Sequence, residues 1–124
     1  MRTTTDVIHD HLRRRLDGDL DGDTENYGED VVQLTASGIY RGRSGVRDCA
    51  AELQRLVGSA TFTYRQTLVD GPYAFLEWTA ESDEITVGDG ADSFVVHDGR
   101  IVLQTIHYTP RRAESADDPG ADDR

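Results

Sequence analysis

The sequence predicts an α+β domain in which helices gather on one face of a curved antiparallel sheet. Three observations lead there. Two stretches of the N-terminal half have helical periodicity, the C-terminal half holds four long runs suited to strands, and turn signals rather than helical linkers join those runs. The order is helix, short helix, short strands, helix, then four long antiparallel strands.

Residues 5–17, TDVIHDHLRRRLD, open the chain as a helix. Thr5 or Asp6 supplies the cap, and Ile8, Leu12 and Leu16 form an apolar stripe with His11 beside it. GDLDGDTENYGED, 18–30, reads as a turn and a short helix ending near Tyr27-Gly28. VVQLTASGIYRG, 31–42, reads as two short strands about a turn at Ala36-Ser37-Gly38. Ser44 then caps a helix through Val57, with Val46, Cys49, Leu53 and Leu56 on its apolar stripe and Gly58 as its stop signal.

ATFTYRQTLV and YAFLEWTAESDEI are two strands joined at Asp70-Gly71-Pro72. A three-residue loop sets Tyr64 opposite Trp78 and puts Phe62, Tyr64, Leu68, Ala74 and Trp78 on one face. In the last hairpin, GADSFVVHDGRIVLQTIHYTP, Asp98-Gly99 is a type I′ turn signal. A two-residue loop pairs His97 with Arg100, Val96 with Ile101, Phe94 with Leu103 and Asp92 with Thr105. Strict alternation then brings His107 to the same face, diagonal to Asp92. That face is apolar and ends in Asp92, Thr105 and His107. A buried carboxylate is costly unless paired or protonated. The cluster therefore reads either as a self-satisfied polar pair or as the polar part of a pocket.

The 124 residues suit one domain, placed at 1–110. The remaining stretch, 111–124, RRAESADDPGADDR, is charged and aperiodic and reads as a disordered acidic tail. The net charge is −11, and every basic residue is Arg. An acidic surface repels nucleic acid and anionic membrane, so neither is expected as a partner. Arg without Lys, beside abundant Ala, Gly and Asp, points to a GC-rich genome or a salt-adapted proteome. The single cysteine, Cys49, excludes an internal disulfide and suits a small core position. With no signal peptide, lipidation motif or long apolar run in sight, the expected location is the cytoplasm.

Motifs for metals and cofactors fall short. Asp17, Asp19, Asp21 and Gly22 match the start of a calcium loop, but position twelve is Gly28 rather than a bidentate Glu. RGRSG at 41–45 lacks the Lys of a phosphate loop, and no CxxC, HExxH or GxSxG occurs. No metal and no cofactor are expected.

The segments GDLDGDTENYGEDVVQL, GIYRGRSGVRDCAAEL, AFLEWTAES and GADSFVVHDGRIVLQTIHYT, in their order and spacing over residues 6–109, resemble the nuclear transport factor 2-like superfamily. The closer resemblance is to its SnoaL-like bacterial branch. It implies a cone-shaped, cystatin-like fold: a bent sheet wrapped on three N-terminal helices around an apolar pocket. It also implies a homodimer through the outer sheet face. The superfamily includes ketosteroid isomerases, polyketide cyclases, epoxide hydrolases, dehydratases and non-catalytic members, so fold leaves function open. Asp92, before the final turn, resembles the isomerase's protonated Asp, and His11 falls near its Tyr. Gln33 or Thr35 stands where its general-base Asp would be, and neither is a base. The charged triad of the epoxide hydrolase would fall near Trp78, Ala80 and Ile106 and is missing.

The expected site is a pocket lined by Tyr27, Tyr64, Trp78, Phe94, Leu103 and Thr105 around His11, Asp92 and His107. In a catalytic reading, His107 is the general base, tuned by Asp92, and His11 is a second donor. Asp92 orients His107 or, if neutral, donates to a developing enolate. The reaction would be cofactor-free proton transfer next to a carbonyl of a small apolar molecule: isomerisation, aldol-type cyclisation or dehydration. The alternative is a non-catalytic ligand-binding or dimeric accessory module.

Overall fold

The structure, a computed structural model, describes residues 1–113. Helix α1 (Thr4–Asp17) starts one residue earlier than expected, and its cap is Thr3 rather than Thr5 or Asp6, because Thr3 and Asp6 close a reciprocal capping box. Its buried face is Val7, Ile8 and His11, so His11 sits within the core face and Leu16 turns to solvent. Helix α2 (Leu20–Thr24) is a single turn capped by Asp19, and it stops before Tyr27. Tyr27 instead opens strand β1 (Tyr27–Thr35), which turns into β2 (Gly38–Arg41). Helix α3 (Gly42–Val57) begins directly after Arg41 with no side-chain cap, so Ser44 lies inside it.

The long strands are β3 (Thr61–Asp70), β4 (Tyr73–Glu81), β5 (Ile85–His97) and β6 (Arg100–His107), and a two-residue β7 (Arg111–Arg112) pairs with β5. The sheet order is β2-β1-β6-β5-β4-β3. The long hairpins are antiparallel as expected, whereas β1 runs parallel to β6. That crossover seats Gln33 beside Gln104. Of the stretch expected as a tail, Arg111 and Arg112 are in a strand and Ala113 is buried, while 114–124 lie outside the described residues.

Alternation in β4 is clean, with Ala74, Leu76, Trp78 and Ala80 buried against the helices. They join Val7, Ile8, Val46, Val57, Phe94 and Ile101 in one core. Each Val, Leu, Ile or Phe side chain among them contributes about 1.5–3 kcal/mol by leaving water. Register shifts interrupt each long pairing: Tyr64/Thr67 in β3, Trp78/Ala80 in β4 and Val95/Val96 in β5. Such bulges bend and twist a sheet, and here the curved sheet does not close on itself. Gly90 allows one tight approach, since a Cβ there would stand 2.3 Å from the Trp78 ring.

The bulges also correct the expected faces. Tyr64 does oppose Trp78, but beyond the β3 shift Leu68 pairs with Phe75 and is exposed on the outer face. In the last hairpin Asp98 and Gly99 have φ of 52° and 73°, as a type I′ turn requires, and Val96 pairs with Ile101. Val95 then pairs with Leu103, which leaves Val102 as an extra residue. From there on, every β6 side chain is on the face opposite to the one expected. Gln104 opposes Phe94 and Ile106 opposes Asp92 on the inner face, while Leu103, Thr105 and His107 turn outward.

Candidate functional site

An internal cavity opens between the concave sheet face and the helices. Its volume, measured as space open to the centre of a water-sized sphere, is about 60 Å³. A water needs roughly 10–15 Å³ on that measure, so several would fit. His11, Asp23, Tyr27, Gln33, Asp92 and Gln104 supply most of its inner polar lining, and Trp78, Tyr64 and Tyr108 add aromatic surface.

His11 approaches from α1. Its Nδ1 lies 2.8 and 2.9 Å from the two carboxylate oxygens of Asp23, which the single-turn α2 presents. A carboxylate only accepts, so Nδ1 carries the hydrogen, and Nε2 is left free of Asp23. The ring stands edge-on to Tyr27 and Phe94, with centroids 5.9 and 5.5 Å away. Asp23 is held in turn by Asn26, whose Nδ2 donates to it at 3.2 Å and to Asp10 at 2.9 Å. Arg2 completes the chain, donating to Asn26 Oδ1 and to the Gly99 carbonyl. The Asn26 bond is the largest cause that draws the Asp10 carboxyl down to about 2.

Asp92 approaches from β5. Its Oδ1 accepts from Trp78 Nε1 and its Oδ2 from Gln104 Nε2, each at 3.0 Å. Gln104 Oε1 accepts from the Tyr27 hydroxyl at 2.7 Å and from Gln33 Nε2 at 2.9 Å. Burial pushes the Asp92 carboxyl above its ordinary value, against the Trp78 bond, the charge of His11 and the Gln104 bond. Burial likewise keeps the hydroxyls of Tyr27 and Tyr64 protonated and pushes the Cys49 thiol up to about 11. Cys49 is therefore a poor nucleophile.

Of the expected site residues, His11 and Asp92 line one cavity together with Tyr27, Tyr64 and Trp78. His107 does not join them. The Val102 bulge turns it outward, where it meets Asp89 at 3.3 Å and is largely solvated. Leu103 and Thr105 are turned out by the same bulge, and Phe94 packs behind the cavity against His11. Asp92 thus pairs with Trp78 and Gln104, not with His107. Sequence reasoning missed Asp23, Gln33, Gln104 and Tyr108. A polar Gln104 inside an apolar strand was a usable signal; Asp23 gave none, since only the α1–α2 turn brings it to His11. The acids of the calcium-like run are spent locally, Asp19 on the α2 cap and Arg14, and Asp21 on Arg47. No helix among the described residues is long and apolar enough to cross a membrane.

Solved structures share this fold. A nuclear transport factor 2-like protein from Burkholderia pseudomallei K96243 superposes with a TM-score of 0.73 at 12% identity, covering 88% of this chain and 92% of its own. A candidate ketosteroid isomerase from Kribbella flavida DSM 17836 gives 0.72 at 19% identity, covering 94% and 82%. TerC, crystallised with polyporic acid, gives 0.70 at 16% identity, covering 86% and 91%. At such identities the likeness concerns the fold alone. No curated protein matches the chain. The model of the SnoaL-like domain matches residues 8–104, most of the chain, and the protein belongs to that family.

Proposed function

We propose that the protein is a cofactor-free acid–base enzyme acting next to the carbonyl of a small apolar compound, by isomerisation, aldol-type cyclisation or dehydration. One observation carries this reading: an Asp23-oriented His11 and a buried Asp92, whose carboxyl burial pushes above its ordinary value, line the same cavity. His11 Nε2 takes the proton from the carbon beside the carbonyl. Neutral Asp92 donates to the oxygen on which charge develops, and Trp78 and Gln104 fix its orientation. The candidate isomerase of the same fold is compatible in reaction type.

The test needs no native substrate. Hydrogen–deuterium exchange at the activated carbon of 2-tetralone is followed by NMR in D2O. The wild type should accelerate exchange, and His11→Gln and Asp92→Asn should each lose about a hundredfold or more. Exchange no faster than in buffer, or rates unchanged in both folded variants, would overturn the reading.

The outer sheet face supports a second copy of the chain as partner. Leu68, Tyr73, Phe75, Val95 and Leu103 line an apolar groove there whose single charge is Asp70. Leu68 is 55% and Tyr73 60% exposed. On a chain of net charge −11, self-association through this patch brings few like charges together. Sedimentation should show a dimer that Tyr73→Glu dissociates; a monomer at high concentration would refute it.

A further inference from the structure

Two polar residues line the cavity at different depths, one with an oxygen that has no hydrogen-bond donor and one with no carboxylate partner among the described residues, and together they describe a ligand. The deep one is Gln33, through its Oε1. Gln33 is 3% exposed, and among the described residues this oxygen is the buried side-chain atom left without a hydrogen-bond partner. Its orientation follows from that of Gln104, which gives its amide hydrogen to Asp92 and turns its carbonyl to Tyr27 and Gln33. Gln33 therefore presents Nε2 to Gln104 and leaves Oε1 without a donor. A buried acceptor without a donor is unfavourable, and a ligand hydroxyl would remove that cost.

The shallow one is Arg15, in the last turn of α1. It borders both the inner cavity and the wider groove between α1, α3 and β3. Its neighbours in the RRR run are paired, Arg13 and Arg14 with Asp10 and Arg14 also with Asp19. No carboxylate among the described residues lies within ion-pair distance of Arg15. Its neighbour is the Tyr64 hydroxyl. A half-buried guanidinium without a carboxylate suits an anion, with which it can form charge-assisted hydrogen bonds. The overall negative charge does not forbid this, because screening limits distant charges to about 10 Å at 0.1 M salt.

We propose that the ligand is an aromatic acid carrying a hydroxyl at its buried end. Its carboxylate meets Arg15 at the mouth, its ring lies along Trp78 and Tyr64, and its hydroxyl donates to Gln33 Oε1. This rests on the cavity being the ligand site, as in the proposed function, and amends the substrate there: the otherwise apolar carbonyl compound carries a carboxylate at one end and a hydroxyl at the other.

The probes are 3-(4-hydroxyphenyl)propanoate, its methyl ester and its 4-methoxy analogue. The readout is the fluorescence of Trp78, the single tryptophan of the chain. The acid should bind about tenfold tighter than the ester, and the hydroxy compound about tenfold tighter than the methoxy compound. Arg15→Gln should erase the first ratio and keep the second, and Arg15→Lys should retain both. Gln33→Leu should erase the second ratio and keep the first. Equal binding of all three probes to the wild type would overturn the ligand class while leaving the cavity as a site. So would ratios that survive Arg15→Gln and Gln33→Leu. No response to any probe at millimolar concentration would overturn the ligand class and the cavity reading together.

Discussion

The molecule holds two histidine–carboxylate contacts of the same chemistry in opposite surroundings. His11–Asp23 lies inside the cone at 2.8 Å, with side chains 6% and 2% exposed. His107–Asp89 lies on the outer face at 3.3 Å, with side chains 65% and 45% exposed. Inside, both carboxylate oxygens engage the ring, and Asn26 holds the carboxylate. Outside, the Asp89 carboxyl is held down first by Thr109, with His107 a lesser cause. Water screens the outer pair and offers each partner an equal alternative. The inner pair has no such alternative, so its geometry is fixed and its loss leaves a buried group unmet. Burial, not the presence of the two residue types, makes a histidine–aspartate contact a functional candidate.

The contrast breaks most visibly at Asp23. Asp23→Ala should cost about 3 kcal/mol in urea unfolding, because it strands His11 and Asn26 in a buried site. A loss as small as that of an exposed pair would show that the inner dyad is not specially held. Next is Gly90→Ala, which drives a methyl group into the Trp78 ring. A cost of about 2 kcal/mol is expected, with a shifted Trp78 emission as the Asp92 hydrogen bond is disturbed; unchanged emission would show that the wall yields freely.

A smaller effect sharpens the account of Asp92. Its carboxyl is raised in the folded state, so its stabilising contribution is fully present below 3.8 and is lost as pH rises through the raised value. Asp92→Asn cannot ionise. Relative to wild type, its stability should therefore improve as pH rises from about 4 through the raised value, as read from paired denaturation curves; a constant difference would mean that burial does not perturb this carboxyl. Smallest of all, Asp89→Ala should change stability by about 0.5 kcal/mol or less and leave tetralone exchange at the wild-type rate. A drop in exchange would bring the outer histidine back into the chemistry.

Much of the inner wall was legible in the sequence because alternation is a local property. Ala74, Leu76, Trp78 and Ala80 face the core as their spacing dictates. His11, beside an apolar stripe, and Asp92, on an apolar strand face, were visible as polar groups in apolar company. The roles of their neighbours were not. One extra residue, Val102, turned Gln104 in and His107 out, and one shift in β3 turned Leu68 out.

Element order, the Asp98-Gly99 turn, the core face of β4 and the family resemblance can all be read from the residues in their order. Each of these depends on short-range periodicity, backbone conformation or motif order. Which polar side chains meet depends instead on how the folded elements pack. A bulge is selected where bending a sheet over its helices is worth more than one regular ladder position, a balance set by distant packing. The same packing sets the parallel β1–β6 pairing that seats Gln33 beside Gln104, and the helix turn that brings Asp23 to His11. Those contacts join residues far apart in the chain, and local spacing carries no record of them.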